Sequence, residues 1–223
     1  MGKKEKQYLT LSKSHLLISY FFMAADGEIS PKELEYFDEI GKCYEGFKTE
    51  KDNIINYCKK VLEAGYEPFE AIKKTVKSET INVKDSPITA FEVFTHMFHF
   101  SHLPSKENAS LLWLLINLGY VDGDYSEPER NIVSFISKQC KFPDDLILEF
   151  EDIAKTLNVL ESYHQELPKQ AFSYSYAKKV LFFKIKKTHQ GRPMKEIEEE
   201  IVDIENDKQK ITESLFALIN EWE

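Results

Sequence analysis

Glycine and proline are scarce in this sequence, eight of each in 223 residues. An all-β fold needs a turn every few residues and draws on those two residue types for it, so the shortage argues against a sandwich or barrel. Long apolar runs are missing too. The longest, Leu111 to Val121, holds Asn117 and is too short to span a bilayer, so it reads as a buried helix. The opening stretch MGKKEKQYLT has no apolar core of the kind a signal peptide needs. Lys6 breaks the myristoylation pattern that Gly2 would begin. Cysteine is nearly absent. Cys43, Cys58 and Cys140 are odd in number and lack metal-ligand spacing, which points to a reducing, cytoplasmic compartment.

Catalytic signatures are lacking as well. The sequence holds no GxSxG, no P-loop, no GxGxxG and no HExxH. The expectation is a protein that is not an enzyme. A metal-dependent hydrolase built on His96, His99 and acidic loops stands as a remote alternative. The formal net charge of −9 gives no global attraction for nucleic acid or an anionic membrane.

What is present is helical. Apolar residues make up 42% of the chain, enough for a packed core. Helices are expected over about Leu9 to Ala25, after Ser30-Pro31, from Thr49 to near Gly65, and over about Pro68 to Ser78. Further helices are expected after Ser86-Pro87, from Ser105 to near Tyr120, from Ser126, after Phe142-Pro143-Asp144, after Pro168 and after Pro193. The caps are Ser, Thr or Asp residues, several with proline at the first helical position. The stretch Thr80 to Lys84 is read as loop rather than strand. LLISYFFMAA and LLWLLINLGYV are apolar on nearly all sides, which places those two helices at the centre of a bundle.

An internal repeat organises the first two thirds of the chain. Asp26-Gly27-Glu28-Ile29-Ser30-Pro31-Lys32-Glu33 aligns with Asp122-Gly123-Asp124-Tyr125-Ser126-Glu127-Pro128-Glu129 at an offset of 96 residues. In each copy the glycine can adopt positive φ and end one helix, the serine caps the next, and the glutamate three residues later completes a capping box. Asp26, Glu28, Asp122 and Asp124 are left without such a role. Both loops sit at the ends of the two central helices, so the four carboxylates are expected to meet as one acidic site. Oxygen-only ligands select Ca2+ or Mg2+ over zinc. An EF-hand is excluded, because loop positions 6 and 12 would be Glu127 and Val133.

The segments MAADGEISPKE and GYVDGDYSEPE, with CKFPDDLILEF after the second, resemble the TerB-like (tellurite-resistance TerB) family over roughly residues 10–155. The resemblance implies an all-α bundle with two Asp-Gly helix-turn-helix motifs. It also implies a link to tellurite resistance, stress response or phage defence, and acidic loops that hold a divalent cation. Domain organisation then reads as a tail over 1–7, a TerB-like domain over 8–160 and a C-terminal helical hairpin over 161–223. The expected role is a non-catalytic interaction, scaffold or sensor protein with protein partners.

Beyond the resemblance, no acidic residue lies between Glu166 and Glu196. Lys178, Lys179, Lys184, Lys186 and Lys187 form a basic patch there, interleaved with Phe172, Tyr174, Tyr176, Phe182 and Phe183. Basic and aromatic residues together suit single-stranded nucleic acid, which gives the alternative function. The helix after Pro193 is rich in carboxylates, so a hairpin pairing the two segments is the first reading. That helix also carries a heptad seam: Ile197, Ile201, Ile204, Lys208, Ile211, Leu215, Leu218 and Trp222. The seam is the expected protein-interaction surface. His96, His99 and His102 are spaced so that successive pairs are helix neighbours, compatible with a transition metal or with a half-buried face.

Overall fold

The computed structural model describes residues 9, 11–44, 46–77, 79, 81, 103–121, 125–170 and 194–222. Among them there are helices and turns and no strand. The helices are α1 (Lys13–Met23), α2 (Pro31–Gly41), α3 (Phe47–Glu63), α4 (Pro68–Val76), α5 (Lys106–Gly119), α6 (Glu127–Gln139), α7 (Asp144–Glu166) and α8 (Met194–Asn220). A 3-10 turn, Leu167–Gln170, follows α7. No described helix is long and apolar enough to cross a membrane. The helix expected after Ser86-Pro87, the His96/His99/His102 group, Asp122, Asp124 and the basic patch Lys178 to Lys187 lie outside the described residues.

The chain divides into two compact units, one of Met1–Ala154 with Leu215–Glu223 and one of Lys155–Ser214. In the first, α1 is buried from Ser14 to Met23 and α5 from Asn108 to Ile116, as expected for helices apolar on all sides. α1 packs against α2, α3, α4 and α5, and α5 packs against α1, α2 and α6. Phe21, Phe22, Phe37 and Phe150 are fully enclosed. Each such side chain contributes about 1.5–3 kcal/mol relative to exposure. Edge-on ring pairs order the core: Tyr20 with Phe37 at 6.0 Å, Phe37 with Phe47 at 5.7 Å, and Trp113 with Phe150 at 5.9 Å.

Three hydroxyls inside this core are satisfied within their own helices. The hydroxyls of Ser19, Thr75 and Ser110 donate to the carbonyls of His15, Ala71 and Lys106, one turn back on their own helices. α1 begins at Lys13 rather than Leu9. Ser12 caps it, with His15 closing a capping box: the Ser12 N–H donates to His15 Nδ1 at 3.3 Å, and the His15 N–H donates to Ser12 Oγ at 3.4 Å. Leu9 and Leu11 are buried although they stand outside the helix. α3 begins at Phe47 rather than Thr49.

In the second unit, Leu160 and Leu167 pack with Ile197, Ile201 and Ile204 of α8. Lys208, the polar member of the heptad seam, pairs with Glu161 of α7. That hydrogen bond holds the Glu161 carboxyl below its ordinary range. Tyr163 donates to Glu200.

Candidate functional site

Each Asp-Gly segment joins an apolar helix to an amphipathic one, and the local geometry follows from a few residues. α1 closes at Ala24, where the Ala25 N–H donates to the Phe22 carbonyl at 3.0 Å. Gly27 takes φ +97°, a conformation that a side chain would strain, and its N–H donates to the Ala24 carbonyl at 3.2 Å. The chain turns there and enters α2 through Ser30. The Ser30 N–H donates to Glu33 Oε2 at 2.6 Å, and the Glu33 N–H donates to Ser30 Oγ at 3.2 Å. This reciprocal box buries the Glu33 side chain.

The second segment repeats the caps. α5 closes at Tyr120, with the Val121 N–H on the Leu118 carbonyl at 3.0 Å. α6 opens at Ser126. The Ser126 N–H and hydroxyl both donate to Glu129 Oε2, at 2.7 and 2.8 Å, and the Glu129 N–H returns to Ser126 Oγ at 3.5 Å. The closing residues Ala24 and Tyr120 and the opening residues Ser30 and Ser126 are each 96 positions apart. Glu33 and Glu129 are thereby committed to caps.

Of the four carboxylates read as cation ligands, two are described. Asp26 Oδ1 accepts the Glu28 N–H at 3.0 Å, so one of its oxygens serves its own turn. The other accepts no hydrogen bond among the described residues, and both Asp26 and Glu28 are exposed. Asp122 and Asp124 lie outside the described residues. Among those that are described, no three His, Cys, Asp or Glu side chains gather closely enough to hold a metal ion.

Contacts around these loops reach beyond what the repeat itself implies. A Cβ at Gly119 would fall 2.4 Å from the Tyr125 ring, so only glycine lets that ring lie against α5. Tyr125 also meets the Tyr120 ring at 5.2 Å and carries the Arg130 guanidinium 4.6 Å above it, while Arg130 Nε donates to the Tyr125 carbonyl at 3.2 Å. The Tyr125 hydroxyl is buried and has no hydrogen-bond partner among the described residues, and burial raises its pKa, which keeps it protonated. Asn117 of α5 donates to the Tyr36 hydroxyl of α2, linking the two repeat segments. The available signal was Asn117 itself, since an amide in an apolar helix needs a partner.

The remaining candidates sort by burial. Burial pushes the Cys140 thiol up to about 12 and the Cys58 thiol well above its ordinary value, so neither is a thiolate at neutral pH. Along the seam, Ile197, Ile204 and Leu215 are buried within this chain, while Ile201, Ile211, Leu218 and Trp222 are half-buried. Comparison with known proteins returned no matching family model, curated protein or solved structure.

Proposed function

We propose that this chain is a TerB-like, non-catalytic interaction or sensor module of a stress-response or defence system, whose twin Asp-Gly loops hold one hard divalent cation. The observation that carries the reading is the matched register of the two loops. The helices end and restart at the same offset, and each restart uses the same Ser–Glu box. Because those boxes consume Glu33 and Glu129, the carboxylates left for a ligand are Asp26, Glu28, Asp122 and Asp124. α1 and α5, the helices that lead into the two loops, pack on one another, which favours loops that share an end of the bundle. Oxygen-only ligands suit Ca2+ or Mg2+. Protein partners are part of the proposal; Ile197, Ile201 and Ile204 of the seam already pack within this chain, while Ile211, Leu218 and Trp222 are half-buried.

The test is thermal unfolding in EDTA, Mg2+ and Ca2+. A cation that binds the folded state alone raises stability by about 2.7 kcal/mol at a hundredfold excess over its Kd. The paired substitution Asp26→Ser with Asp122→Ser keeps an oxygen for the turn at each loop and removes both charges. It should abolish the cation-dependent rise and stabilise the cation-free protein by relieving repulsion. A melting temperature indifferent to millimolar cation would reduce the loops to turns and caps.

A further inference from the structure

Ile197, Ile201 and Ile204 of the α8 seam pack with Leu160 of α7 and Leu167 of the turn that follows it, and Lys208 pairs with Glu161, which leaves other faces of α8 for the basic stretch upstream. We propose that a stripe of α8 formed by Met194, Glu198, Val202 and Glu205 is the docking surface for this chain's own segment 171–193. At 3.6 residues per turn, steps of four, four and three put these side chains on one side of the helix, roughly a quarter-turn from Ile197 and Ile204. Tyr163 of α7 bonds Glu200, on the opposite flank, and so leaves the stripe open.

The stripe alternates apolar and acidic groups. Met194 is 52% exposed and Val202 54%, a large exposure for side chains that gain from burial. Glu198 and Glu205 are exposed and form no ion pair among the described residues. Residues 194–207 hold seven carboxylates and one lysine. The occupant is the chemical complement. Segment 171–193 has six lysine or arginine residues, five aromatic residues and no carboxylate. It also re-enters the described chain at Met194, the first residue of the stripe, through Gly191-Arg192-Pro193. Covalent attachment at Met194 holds the segment close to the stripe at high effective concentration. Docked there, its lysines face carboxylates, and α8 acts as an internal competitor against any polyanion.

Hydrogen–deuterium exchange of the full chain, read on peptides within 171–193, tests this. The variant Glu198→Lys with Glu205→Lys should raise exchange in those peptides by about tenfold or more, while leaving peptides from α1 and α5 unchanged. A matched control, Glu196→Lys with Asp203→Lys, makes the same charge change on the other flank and should leave 171–193 protected. Adding Lys178→Glu, Lys179→Glu, Lys186→Glu and Lys187→Glu to the first variant should restore protection. The proposal fails if 171–193 exchanges in the wild type as fast as an unstructured peptide, or if both flanks respond alike. It also fails if protection depends on protein concentration, which would place the segment on a second copy.

Discussion

The side-chain amide of Asn117, within the apolar run of α5, donates a hydrogen bond to the phenol oxygen of Tyr36 on α2. One residue belongs to the helix that leads into the second Asp-Gly loop, and the other to the helix that follows the first. Tyr36→Phe removes the acceptor and leaves a half-buried amide to be resolvated, at a cost of about 1 kcal/mol. Because the two groups act as a unit, Tyr36→Phe with Asn117→Leu should cost less than the sum of the single changes. Urea midpoints with unchanged m-values measure this.

The two serine caps make a prediction in which alanine and glycine differ. Ser30→Ala and Ser126→Ala each strand the N–H of a buried glutamate and should cost about 1 kcal/mol, whereas Ser→Gly at either site should cost only a few tenths. Equal losses for alanine and glycine would mean that the hydroxyls contribute packing rather than capping.

His15 predicts a pH dependence of stability. Burial pushes its pKa down from 6.5 to about 4, against the opposing influence of the Glu107 carboxylate and a hydrogen bond with Asn108. The unfolded chain therefore binds more protons than the folded one between those values, and stability rises with pH across that window. The contribution is fully present above pH 6.5, falls as the pH drops toward 4 and is flat below. Its size is on the order of 3 kcal/mol. His15→Gln keeps a capping-box side chain at this position and removes the proton, so its stability profile should be flatter than the wild type in that window.

Lys141 ends α6 in the left-handed region at φ +58°, where its N–H bonds the Lys138 carbonyl and the Phe142 N–H bonds the Ser137 carbonyl. α3 ends in the same way with glycine: the Gly65 N–H bonds Leu62 and the Tyr66 N–H bonds Val61. Both are Schellman closures, and only one has the residue that suits it. Lys141→Gly should stabilise the protein by about 1 kcal/mol, which calorimetry would register as a rise in Tm.

Features set by short-range chemistry were legible in the sequence. Ser30, Ser105 and Ser126 cap α2, α5 and α6 where their spacing placed them, because a cap depends on three or four neighbouring residues. The start of α3 was not legible. Its N-cap is Gly46 with no side-chain cap, and Thr49, the residue that looked like the cap, bonds back to the Gly46 carbonyl at 3.0 Å. The start of α1 was obscured because histidine stands where glutamate or glutamine usually closes the box. α7 reaches Glu166 because nothing in its sequence stops it before Pro168. At the candidate site, the commitment of Glu33 and Glu129 to the capping boxes was visible. The Tyr125 and Tyr36 contacts were not, since each depends on which helix lies opposite.

The hydrogen bonds at Asp26 bear on how the protein ages. An aspartate followed by glycine is prone to cyclise: the next amide nitrogen attacks the side-chain carboxyl, water leaves, and hydrolysis of the ring yields a β-linked backbone. In the folded loop both reactants are engaged, the Gly27 N–H with the Ala24 carbonyl and the Asp26 carboxylate with the Glu28 N–H. Rearrangement at Asp26 therefore waits on opening of the turn, and the slow accumulation of isoaspartate in stored protein is a clock for how often that loop comes undone.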